Sequence, residues 1–70
     1  MITKEEIIKE IIKEIIKLKN EKSEDTFDKI SLRVYVLYSF FGMSLKEICS
    51  QTCMTKCRAY YGRGHKLFGY

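Results

Sequence analysis

Three cysteines, Cys49, Cys53 and Cys57, recur at every fourth residue, and His65 follows the last of them by eight positions. Thiolate and imidazole are zinc ligands, but on one continuous helix the outer cysteines would stand about 12 Å apart by rise alone, too far for one ion. A turn at Cys53 would bring them closer, yet the two-residue C-x2-C spacing of zinc motifs is absent. Three uses stay open for these side chains: buried packing, a metal site, and a disulfide or redox pair. The odd count, in a chain whose N-terminus shows no secretory pattern, favours reduced and buried thiols. Nucleophilic catalysis needs a base oriented beside the thiol, and the one histidine lies in a basic tail. Paired carboxylates for acid–base work are poorly supported too, because eight of the nine acids fall within the first 28 residues. With no G-x4-G-K phosphate loop either, we expect no enzyme activity, no cofactor and no metal.

The cations are placed more tellingly than the thiols. Residues 1–28 hold six lysines against eight acids, whereas residues 29–70 hold seven Lys/Arg against Glu47 alone. Such a basic half is where a polyanion would bind. The bland alternative for each cation is a solvated helix face.

The elements that carry these side chains read as helices. Seventy residues without proline, 46% hydrophobic and 31% charged, suit one small all-α domain with a single core. No apolar stretch approaches the roughly 20 residues of a membrane span, and Ile7–Leu18 is broken by charge too often for a signal peptide, so the expected location is cytoplasmic. The pairs Ile7-Ile8, Ile11-Ile12 and Ile15-Ile16 repeat every four residues. Each pair is turned about 40° from the last, so the apolar face spreads over half a helix and must be covered, within the domain or by a second copy. Thr3 with Glu6, and later Ser44 with Glu47, have the spacing of a capping box. A polar run, residues 20–26, separates the first helix from FDKISLRVYVLYSFF, residues 27–41, which reads as a helix closed by Gly42; an isolated strand there would have nothing to pair with. Beyond Gly42 follow a short helix from Leu45, a turn around Cys53, and a basic helix capped by Thr55, whose second half is expected to fray at Gly62 and Gly64. The division is thus residues 1–22, a long amphipathic helix, and residues 23–70, a three-helix unit. Its core should draw on Ile8, Ile12, Ile15, Ile30, Val34, Leu37, Phe41, Leu45, Ile48, Met54 and Ala59.

Two short helices joined by a tight turn, the second one basic, outline a helix-turn-helix. Counted from Leu45, its small fifth position is Cys49, its turn position is Cys53, and its apolar tenth and fifteenth positions are Met54 and Ala59. Cys53 departs from the pattern, since glycine accepts a left-handed backbone there and cysteine resists it. With RVYVLYSFFGMSLKEIC (33–49) and MTKCRAYYGRGHKL (54–67), residues 28–68 resemble the fourth region of bacterial sigma factors, the part that holds the upstream promoter element. The promoter-melting region of a complete factor cannot fit in this chain. The resemblance implies a stand-alone DNA-binding transcription regulator on double-stranded DNA, with RNA polymerase as a second partner; the wide isoleucine face and the weak grip of one short recognition helix separately lead us to expect a homodimer. The resemblance places Thr55 at the cap, as a DNA-contacting residue, and Lys56, Cys57, Arg58, Tyr60 and Tyr61 on the early recognition helix facing the major groove. Arg63, His65 and Lys66 follow on the backbone, and Lys46 meets phosphate from the preceding helix. The alternative is a helical interaction module that binds polymerase or another protein without touching DNA.

Overall fold

A computed structural model describes residues 2–21 and 23–69. Four α-helices account for the regular structure: α1 (Lys4–Glu21), α2 (Thr26–Ser39), α3 (Leu45–Thr52) and α4 (Cys57–Leu67), with no strand among the described residues. Local chemistry sets most of the boundaries. Thr3 Oγ1 accepts the Glu6 N–H at 3.2 Å and starts α1, and Ser44 Oγ accepts the Glu47 N–H at 3.1 Å and starts α3. After α2, Gly42 takes φ +71° and lets the Met43 N–H return to the Leu37 carbonyl at 3.0 Å.

Two boundaries differ from the sequence reading. Helix α4 starts at Cys57 instead of behind a Thr55 cap: Lys56, which offers no cap oxygen, holds the N-cap place with φ −114° and ψ 38°. Nor does α4 fray at its glycines, since it runs unbroken to Leu67 and buries Gly64. The cause is packing. A β-carbon at Gly64 would run into the Ser31 carbonyl and approach Tyr35 Cβ to 2.8 Å, so the missing side chain lets α4 lie directly on α2. Ser31 helps by folding its hydroxyl onto the Phe27 carbonyl at 2.7 Å.

Helix α2 touches all three other helices, most extensively α4, while α1 packs on α2 and α3. The core gathers Ile12, Ile15 and Leu18 from α1, Ile30, Val34 and Leu37 from α2, then Met43, Ile48, Met54 and Cys57. Ile8, Phe41 and Leu45 are only partly buried against it. Ala59 is not in the core at all; it is exposed on the far side of α4. The drift of the isoleucine pairs is visible in α1, where Ile15 is fully buried but Ile7 and Ile16 emerge at opposite edges of the face.

Candidate nucleic-acid interface

The α3–α4 connection is fixed from three sides. Thr52, fully buried, donates its hydroxyl to the Ile48 carbonyl at 2.6 Å and closes the last turn of α3. Cys53 then adopts the left-handed conformation, φ 57° and ψ 38°, against the resistance of its β-carbon, which costs about 1–2 kcal/mol. The Met54 N–H returns to the Cys49 carbonyl at 3.2 Å. From α1, Lys19 Nζ donates to the Thr52 carbonyl at 3.1 Å and the Cys53 carbonyl at 3.5 Å, a cation seated at the negative end of α3.

A disulfide joins Cys49 to Cys57, with the two Cα atoms 6.0 Å apart. This corrects the expectation of reduced thiols. The turn at Cys53 removes about half of the separation that a straight helix would impose, and it brings the first residue of α4 against α3. Cys53 itself remains a free, exposed thiol. His65 is drawn elsewhere, to Tyr35 and Tyr61, and among the described residues no three metal-ligating side chains gather.

Helix α4 has two unlike faces. Inward it turns Cys57, bonded to α3, and Tyr60, Tyr61 and Gly64, packed on α2, with Tyr60 4.8 Å from Phe27 and Tyr61 5.6 Å from Tyr35 and 4.6 Å from Tyr38, ring centre to ring centre. Outward it turns Arg58, Ala59, Gly62, Arg63 and Lys66, all exposed, and α4 contains no acid. Lys46, Thr55 and Lys56 are exposed as well. The nine residues singled out from sequence therefore divide: Lys46, Thr55, Lys56, Arg58, Arg63 and Lys66 face solvent, whereas Tyr60, Tyr61 and His65 are half-buried and packed on α2. Ala59 faces out, at a position that a helix-turn-helix pattern needs packed. Ala59 and Gly62 are the residues of this outward face that sequence reading did not place there. The signal was present: Cys57, Tyr60, Tyr61, Gly64 and Phe68 form a stripe at helical spacing, which assigns the opposite side to solvent.

Arg63 is held at the edge of this face. Its Nε lies 2.9 Å from Asp28 Oδ1 and its second nitrogen 3.4 Å from Oδ2, linking α4 to α2. The hydrogen bond from Arg63 keeps the Asp28 carboxyl below its ordinary range, with the guanidinium charge adding to the shift. Asp28 in turn raises the Arg63 pKa, first through that hydrogen bond. Among the described residues, Lys46, Lys56, Arg58 and Lys66 have no acidic partner and carry the uncompensated charge of this surface.

No protein-family model, no curated protein and no solved structure matches this chain. No described helix is long and apolar enough to cross a membrane.

Proposed function

We propose that the protein is a DNA-binding transcription regulator, a helix-turn-helix module similar to the fourth region of sigma factors, and that the outward face of α4 enters the major groove of double-stranded DNA. The observation that carries this reading is the make-up of that face. Arg58 and Lys66 flank Ala59 and Gly62 on an acid-free helix. Small side chains between two cations let a helix backbone approach base edges while the cations reach guanine or phosphate. Lys46, on the first turn of α3, adds a phosphate contact. The left-handed turn at Cys53 supports the same reading.

Arg58 has the length to make a bidentate contact to guanine. Arg58→Ala should weaken a selected site by roughly 1–3 kcal/mol and relax preference at one base position. Lys66→Ala should weaken all sequences alike and lower the salt slope by about one unit. Titrations of both variants on a selected and a scrambled duplex at two salt concentrations test this. In this reading two copies bind together, since one short helix makes few base contacts. Most of the isoleucine face is turned inward, so Ile7, at one edge of α1, and Ile2 just before the helix are the exposed apolar surface left for that contact. Light scattering at concentrations where DNA is bound decides it.

One feature favours the second reading, an interaction module for polymerase or another protein. Tyr38, Phe40 and Phe68 are exposed around the buried Tyr35, where the ends of α2 and α4 meet. If Arg58 and Lys66 changes leave DNA affinity untouched while Phe40→Ser abolishes capture of a protein partner, this second reading replaces the first.

A further inference from the structure

We propose that Cys49 and Cys57 are a reversible thiol–disulfide couple that regulates the α4 surface: closed, it fixes the start of α4 against α3; opened, it releases it. The regulatory half of this inference rests on reading the outward face of α4 as the DNA surface. The couple itself stands on the geometry of the turn.

Apart from the Tyr60 N–H on the Lys56 carbonyl, which belongs to the first turn of α4 itself, the hydrogen bonds of the turn secure its α3 side. Cys53 and Met54 return their N–H groups to the Cys49 carbonyl, and Lys19 holds the Thr52 and Cys53 carbonyls. The start of α4 has Lys56 at its N-cap, a side chain with no oxygen to accept the first amides. What ties that start to α3 is the bridge from Cys57. Gly64 and the tyrosines anchor the middle of α4 to α2 independently, so opening the bridge loosens the first turn of α4 and leaves the rest of the helix docked. Lys56 and Arg58 lie on that first turn.

The two sulfurs differ in access. Cys57 is 2% exposed, while Cys49 is half-buried. A thiolate of an external dithiol therefore attacks Cys49 Sγ. The protein S–S bond breaks, and Cys57 leaves as a thiolate and takes up a proton. The second thiol of the reductant then displaces Cys49 from the mixed disulfide. The reductant departs as its own disulfide, and two electrons have passed to the protein. A small-molecule disulfide reverses the sequence and is reduced to two thiols. Cys53, four residues from each partner and exposed, takes no part in the closed state and supplies an internal control.

The experiment compares the full chain equilibrated with glutathione disulfide and with dithiothreitol. Thiol labelling after denaturation should find one thiol per oxidised chain and three per reduced chain, with peptide mapping placing the bridge between Cys49 and Cys57. Amide exchange over residues 54–60 should accelerate on reduction while that of α2 stays unchanged. DNA affinity should fall at least about fivefold, the lower end of ordinary coupling between sites. The Cys53→Ser variant should keep this dependence. The double variant Cys49→Ser, Cys57→Ser should behave as the reduced chain and ignore dithiothreitol; the reduced natural chain supplies the same measurement if that variant fails to fold. Three labelled thiols after oxidation, a bridge that includes Cys53, or exchange indifferent to reduction overturns the couple. Equal DNA affinity in both states overturns the regulation. Redox-dependent exchange in a protein that binds DNA in neither state supports the couple and removes the DNA reading instead.

Discussion

Helices α1 and α4 bury a face against the same neighbour, α2, by opposite means. In α1 the work is done by volume: Ile12, Ile15 and Leu18 fill the space between α2 and α3. In α4 it is done by absence, since Gly64 supplies no side chain and brings the two backbones together, with rings and a disulfide around the contact. A face built on volume fails when atoms are removed. A face built on close approach fails when they are added.

The sharpest test of the first half is Ile15→Ala, which empties a fully buried position and should cost about 2–5 kcal/mol, read as the shift of the urea midpoint. The second half predicts that adding one methyl does comparable harm. Gly64→Ala should destabilise by roughly 1–3 kcal/mol despite its better helix propensity, because the Ser31 backbone cannot move without dislocating α2. Gly62→Ala, two residues away, meets nothing within 4 Å and should stabilise by about 0.5–1 kcal/mol. Opposite signs for two identical substitutions in one helix would establish the contrast; equal signs would refute it.

The smallest effect concerns the ion pair that trims the α2–α4 contact. Folding lowers the Asp28 pKa from its ordinary value of 3.8, so the pair stabilises the fold at pH above that value and its contribution disappears as pH falls through the lowered one. Both partners are solvent-exposed, so the effect should be slight and weakened by salt. Thermal melts of the natural chain and of Asp28→Asn should differ near neutral pH and converge in acid.

The same contrast explains what could be read from the sequence. Thr3 and Glu6, Ser44 and Glu47, Gly42, and the isoleucine pairs are local signals: each partner lies within about two helical turns, and the spacing alone states the structure. The inner face of α4 is not local. Gly64 is a packing residue only because Ser31 and Tyr35 lie across from it, and Cys57 finds Cys49 only because Cys53 accepts a strained backbone. Propensity marks Gly64 as a weak point of a helix, and tertiary contact makes it the tightest point. The exposure of Ala59 and the inward turn of Tyr60 and Tyr61 follow from that contact, which is why six of the nine candidate residues lie on the surface as expected and the three ring-bearing ones do not.

The reach of Lys19 has a bearing on the order of assembly. Its ammonium satisfies the carbonyls at the end of α3 from 33 residues upstream, a contact that no segment of the α3–α4 pair can make by itself. The left-handed stop at Cys53 therefore gains this support only after α1 has docked, and a peptide confined to residues 44–69 lacks it. In kinetic terms, Lys19→Met should accelerate unfolding far more than it slows folding if α1 docks late, and should do the reverse if the long helix is the nucleus on which the turn is built.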